Sequence, residues 1–193
     1  MYVNYRGEKK MIRMENFVYD GHPMLRTVVK EIQIPITDED KLLMQQMQEY
    51  LRNSQNQKIA KRFKLKEGVG LAAPQLGKDK RIFALRAEDS SGVTHEYVLA
   101  NPKIISHSEA ITYLKDGEGC LSVKKEVPGI VPRYDRIKIS AYTMDGELIE
   151  IKAKGFIAVV IQHEIDHLNG KMFYDKIDKL NPLLPPNGAK PIE

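Results

Sequence analysis

The sequence predicts an α+β fold in which mostly antiparallel sheets pack around a central buried helix. Three observations lead there. Several short runs of alternating apolar residues read as strands. An Asp145-Gly146 pair between two such runs marks a hairpin. Residues 156–161 read Phe-Ile-Ala-Val-Val-Ile, apolar on every side, as a helix enclosed by the core does. Strands and helices do not alternate as βαβ units, which argues against a parallel sheet.

The first clear element is a helix starting near Thr37. Thr37 and Asp40 fit a capping box, and Leu43, Met47, Tyr50 and Leu51 follow at helical spacing as a core-facing stripe. The methionines of this stretch are expected to pack. The segment Gly68-Val69-Gly70-Leu71-Ala72-Ala73-Pro74-Gln75-Leu76-Gly77 combines glycines and small residues, a sign of close backbone approach. Strands are expected over 81–86, 96–101 and 103–114, and over 137–142 and 148–153 on either side of Met144-Asp145-Gly146-Glu147. The apolar run 156–161 also permits a strand, but it continues through His163-Glu164-Ile165-Asp166-His167-Leu168. Asn169-Gly170 then supplies a helix stop.

Composition narrows the function classes. The chain's 193 residues, 42% of them hydrophobic, suit a single domain spanning 1–193. No apolar run approaches the roughly 18 residues a membrane span needs. The N-terminus lacks the apolar core of a secretion signal, and Glu8, Glu15 and Asp20 argue against a transit peptide. A cytoplasmic protein without membrane attachment is expected. Its lone cysteine, Cys120, agrees with a reducing compartment. The net charge of +4 is scattered rather than blocked, so direct nucleic-acid binding is not expected.

The chemistry concentrates in His163-Glu164-Ile165-Asp166-His167, an H-E-x-x-H pattern. On a helix, positions i and i+4 share a face, so both imidazoles reach one cation. The central helix is thus expected to carry the metal motif. Glu164 lies beside that face, placed to accept a proton from an attacking water. Two histidines at the end of an apolar helix are costly to bury without partners, and a metal supplies them. A hydrolytic site usually has three protein ligands and one open position. Downstream of His167 there is no histidine, and Asp175 and Asp178 fall just past the helix. Upstream, Cys120 sits in Glu118-Gly119-Cys120-Leu121-Ser122, where Gly119 lets backbone approach a metal. Cys120, His163 and His167 are therefore the expected ligands of one divalent ion per chain.

Taken together, GVGLAAPQ (68–75), EGCLS (118–122) and QHEIDHLNG (162–170) resemble peptide deformylase, in that family's order. The segments Asp20–Arg26 and Val131-Pro132-Arg133 look alike too, so the resemblance spans roughly residues 12–177. The family implies removal of the N-formyl group from the initiator methionine of nascent chains. It implies Cys120, His163 and His167 as ligands and Glu164 as general base. Gln75 and the Leu121 backbone N–H would hold the carbonyl oxygen. Fe(II) would be the native ion, with Zn, Ni or Co accepted. The resemblance suggests that Arg133 and Asp166 pair and orient the site. The substrate would add as a strand beside Val69, Gly70 and Gly119, with its methionine in a pocket lined by Phe156 and Val159. Partners would be formyl-methionyl nascent peptides near the ribosome, met by a monomer.

The ends depart from compact family members, with an extended N-terminal segment over 1–15 and a proline-rich tail over 181–193. Four prolines in that tail preclude a long C-terminal helix, so the chain resembles the second bacterial class, typical of Gram-positive bacteria. Two other readings share the metal motif. An H-E-x-x-H endopeptidase would usually take its third ligand downstream, and a non-catalytic formyl-peptide-binding paralogue would have no need of Gln75 and Glu164.

Overall fold

In the computed structural model, residues 11–192 are described. Strands β1 (Gly70–Ala72), β2 (Ile82–Glu88), β3 (Thr94–His107), β6 (Arg136–Tyr142) and β7 (Leu148–Lys154) form one antiparallel sheet in the order β1-β2-β3-β6-β7. Strands β4 (Ile111–Tyr113), β5 (Arg133–Tyr134) and β8 (Lys190–Pro191) form a second sheet ordered β5-β4-β8, whose β4–β8 pairing is parallel. The helices are α1 (Asp38–Ser54), α2 (Gln57–Phe63) and α3 (Gly155–Leu168).

Side chains alternate across a strand, and that alternation divides the interior. On β2, Phe83 and Leu85 join Ile137, Ile139 and Ala141 of β6 in a core against Ile157, Ala158 and Ile161 of α3. Ile82 and Ala84 point the other way and meet Met44, Met47, Tyr50 and Leu51 of α1. Each such aliphatic or aromatic side chain contributes about 1.5–3 kcal/mol on full burial. The Thr37 hydroxyl caps α1 by accepting from the Asp40 amide at 3.2 Å. Three acids in the first turn, Asp38, Glu39 and Asp40, suit the positive end of the helix dipole. The hairpin at Asp145-Gly146 closes through a Gly146 amide bond to the Thr143 carbonyl, with Gly146 at φ 82°.

One fold expectation is corrected. The sequence placed the metal motif on the central helix, whereas the metal-ligating group is the triad Cys120, His163 and His167. It is assembled from a loop and a helix, so it is not a helix-borne H-E-x-x-H site. The reason is geometric: one helix face offers a single point two imidazoles at i and i+4, and further donors have to come from elsewhere in the chain. The α+β class and the antiparallel main sheet stand. Gln162 fixes α3 against the small sheet, donating to the Tyr134 carbonyl at 2.9 Å and accepting from the Tyr134 amide at 3.0 Å.

Other boundaries differ in detail. The strands expected at 96–101 and 103–114 are one long strand, β3, followed by the short β4. Asn101 sits at φ 50° where the pairing register of β3 with β6 shifts, and its side chain bonds both the amide and the carbonyl of Ile32 at 2.9 Å. Of the N-terminal segment 1–15, residues 1–10 lie outside the described residues, and Ile12 is buried in the core beside α1. Within the proline-rich stretch, Lys190–Pro191 pairs with β4, and Glu193 lies outside the described residues. Among the described residues, no helix is long and apolar enough to cross a membrane.

Candidate metal centre

Cys120 arrives on the loop between β4 and β5, and His163 and His167 lie one turn apart on α3. Each offers one donor atom, and the three atoms lie within 4.8 Å of one another. Cys120 Sγ is 3.2 Å from His167 Nε2. It also accepts from the Ser122 amide and from Gln75 Nε2, both at 3.4 Å. Cysteine ligates metals as its thiolate. The two imidazole rings meet edge-on, centroids 4.9 Å apart at 73°.

The far nitrogen of His163 is held as ligand histidines usually are. His163 Nδ1 bonds Glu118 Oε2 at 2.8 Å, and Phe173 stacks on the ring at 6.0 Å. Glu118 also receives Nε and Nη2 of Arg133, at 2.7 and 2.8 Å, while Nη1 of Arg133 pairs with Asp166. Burial alone would raise the Glu118 pKa, but the bonds from Arg133 and His163 outweigh it and hold the carboxyl down to about 2. Sequence reasoning missed this role for Glu118, which stands in its motif with no function assigned. Its only signal is its place two residues before Cys120. What it touches, 45 positions away in the chain, is a matter of fold.

Glu164 is buried with its Oε2 lacking a hydrogen-bond partner among the described residues, and burial pushes its pKa up to about 7. Gly70 lies against it: a Cβ built there would sit 2.1 Å from Glu164 Oε1. A Cβ at Gly68 would meet Leu121 Cδ1 at 2.9 Å. These are the close approaches that the glycines of 68–77 announce. Gln75 is buried, and its Oε1 accepts from the Ala72 amide at 2.8 Å, which aims Nε2 at Cys120 Sγ.

The remaining residues fall around this centre. Leu121 directly follows Cys120 and is buried in the core beside α1. Phe156 and Val159 precede His163 by two turns and one turn of α3, hence on its face. Phe156 is half-buried and Val159 is buried. Val69 is half-buried against the sheet–α3 core, its carbonyl accepting from the Arg86 amide at 2.8 Å. Gly119 is exposed, and a Cβ there would meet only open space.

The donor set fits a divalent metal. One thiolate and two imidazoles suit borderline ions such as Fe(II), Co(II), Ni(II) and Zn(II). Burial pushes the His167 pKa well below the usual imidazole value, which keeps a lone pair available. Among the described residues, the buried polar atoms Glu164 Oε2 and His167 Nδ1 have no hydrogen-bond partner, as suits a site built for more than packing.

An α+β scaffold that converges a thiolate, two imidazoles and a buried carboxyl group defines a metallohydrolase of the Cys/His/His kind. The chain belongs to the polypeptide deformylase family, whose model matches residues 14–182. It is 54% identical over 183 residues to peptide deformylase 2 of Bacillus subtilis (strain 168), covering 95% of this chain and 100% of that one. A peptide deformylase of Staphylococcus epidermidis is 48% identical over 176 residues, covering 91% and 96%. Among solved structures, the peptide deformylase of Thermus thermophilus superposes with a TM-score of 0.70 at 30% identity, covering 86% of this chain and 88% of that one. A plant peptide deformylase gives 0.70 at 30% identity, covering 86% and 82%.

Proposed function

We propose that this chain is a metal-dependent hydrolase that removes the N-formyl group from formyl-methionine at the start of nascent polypeptides. The observation that carries this reading is the convergence of Cys120, His163 and His167, with Gln75 Nε2 on the thiolate and the buried Glu164 on the same helix.

The ion held by the triad would supply Lewis acidity toward a water and the formyl oxygen. Fe(II) is the native ion in this reading, and Zn, Ni or Co can replace it. Glu164 takes the proton from the attacking water as the oxygen bonds to the formyl carbon. Its pKa of about 7 suits a group that both accepts and returns a proton near neutrality. Negative charge then grows on the formyl oxygen. Gln75 Nε2 and the Leu121 N–H donate to it, each such donor contributing about 3–4 kcal/mol of transition-state stabilisation. Glu164 passes its proton to the departing amine, the C–N bond breaks, and formate and a free N-terminus are released. Arg133, Glu118 and Asp166 hold His163 and α3 in register.

The peptide lies as an added strand beside Val69, Gly70 and Gly119. The methionine side chain enters between Phe156 and Val159. The whole of 1–193 acts as one catalytic domain, a cytoplasmic monomer meeting nascent chains near the ribosome.

The test is formate release from a formyl-Met peptide by anaerobically purified protein loaded with Fe(II) or Ni(II). Release at one metal per chain is the expected result. If the loaded protein leaves that peptide intact and instead cuts casein or an acetylated peptide, the reading fails.

A further inference from the structure

Arg81 precedes β2 and has a half-buried side chain whose four hydrogen bonds all end on uncharged oxygens. Nη1 donates to the Leu168 carbonyl at 3.3 Å and to Asn169 Oδ1 at 3.0 Å. Nε and Nη2 donate to the Pro102 carbonyl at 3.3 and 3.2 Å. Its backbone is fixed as well, the amide donating to Lys30 and the carbonyl accepting from Asn101, both at 2.8 Å.

Leu168 is the last residue of α3, and His167 is the one before it. Helix ends leave carbonyls unpaired and tend to fray, and a cation there is favoured by the helix dipole. Fraying matters more for His167 than for His163. The Nδ1 of His163 is held by Glu118, whereas the buried Nδ1 of His167 has no hydrogen-bond partner among the described residues. No side-chain bond on that nitrogen sets the ring. Nε2 meets Cys120 Sγ at 3.2 Å, so the ring's position rests on that contact and on the backbone of the last turn. The end of that turn is held by Arg81, by the Val29 amide on the Leu168 carbonyl at 3.1 Å, and by the Gly170 and Lys171 amides on the His167 and Asp166 carbonyls at 3.2 and 2.9 Å.

We propose that Arg81 is a positioning residue for the metal centre: by tying the end of α3 to Pro102 of β3, it keeps His167 in ligand position and slows metal loss. This inference rests on reading the triad as the metal centre.

The test follows metal release rather than turnover. Protein loaded with Co(II) or Zn(II) is mixed with excess chelator at 25 °C, the release rate is recorded, and the Tm of the metal-free protein is measured separately. Arg81→Ala should release metal on the order of tenfold faster, the lower end of the range for lost supporting partners of ligand histidines. Arg81→Lys keeps the charge but not the fork, and should fall between the two. Asn169→Ala removes a single acceptor and should give a smaller increase; it carries the test with Arg81→Lys if Arg81→Ala does not fold. Lys80→Ala, which breaks the neighbouring Lys80–Asp40 pair, should lower Tm without hastening release. If the Arg81 and Asn169 variants lower Tm but release metal at the wild-type rate, Arg81 is only a structural anchor and the inference is overturned. If the wild-type protein retains no metal, or Cys120→Ser retains it as well as wild type does, the metal-centre reading itself fails and takes the inference with it.

Discussion

Gly70 and Glu164 are in direct contact, with room between strand and carboxyl for a hydrogen and nothing larger: a Cβ at 70 would lie 2.1 Å from Oε1. Gly70→Ala should therefore push Glu164 aside by about 1 Å. A displacement of that size costs catalysis roughly a hundredfold. Metal content should stay at the wild-type level. Formate-release kinetics beside metal analysis check this, and near-normal turnover would show that the carboxyl does not need this position.

Glu164→Gln keeps shape and removes the titrating group. Metal binding should persist, while the rate of deformylation falls by about 10²–10⁴, the usual span for a lost general base. A variant with more than a tenth of wild-type activity would take that role from Glu164.

Glu118→Gln should harm both stability and the metal site. It leaves Arg133 buried with Asp166 as its remaining carboxylate partner, and it leaves one amide oxygen to serve both Arg133 and His163 Nδ1 in place of two carboxylate oxygens. Breaking a buried pair costs about 3–5 kcal/mol, and the surviving Asp166 contact places this variant at the lower end. Metal affinity should drop by about 10–100-fold. Denaturant melts and chelator competition read the two effects separately.

Asp175 makes an acid-sensitive contribution. Burial would raise its pKa, but the Arg26 hydrogen bond and the Met172 amide outweigh it, and the folded-state value is lowered. Its stabilisation is thus present above the unfolded-state value of about 3.9 and is lost as pH falls through the lower folded-state value. Both side chains of the pair are over a third exposed, so the effect is modest. Asp175→Asn should lower Tm at pH 7 and make Tm less dependent on pH below about 4. Parallel acid titrations of Tm would show the two curves converging at low pH.

Tyr50→Phe probes the approach to β1. The buried Tyr50 hydroxyl donates to the Lys66 carbonyl at 2.8 Å. Its loss should cost about 1 kcal/mol, plus a share for the carbonyl left under-satisfied. Urea unfolding should show a lower midpoint with an unchanged slope.

The fold was legible where one segment's pattern determined its environment. The run Phe156–Ile161 is apolar all round and became the buried half of α3. Asp145-Gly146 closed its hairpin. Where the outcome depends on distant partners, the pattern was silent. β1 is only Gly-Leu-Ala, and it is a strand because β2 lies beside it. α2, Gln57–Phe63, has no residue in the fully buried class and starts on the Asn56 cap. β3 looked like two strands because Pro102 interrupts it. At the site, residue type and spacing marked His163, His167 and Cys120. The Glu118 bridge and the Arg81 clamp join segments 45 and 87 positions apart, distances over which local pattern carries no information.

The pairing of β8 with β4 has a practical consequence for handling the protein. β4 and β5 pinch together the two ends of the loop that bears Cys120, and β8 lines the outer side of that pinch. The Lys190 carbonyl accepts from the Thr112 hydroxyl at 2.8 Å, and the Ile192 amide reaches the Tyr113 carbonyl at 2.9 Å. Chain attached closely after Ile192 therefore starts beside the strands that close the Cys120 loop. Clipping the chain before residue 190 removes β8 and its bonds to β4. A long, pliant spacer ahead of any tag keeps its pull away from the sulfur.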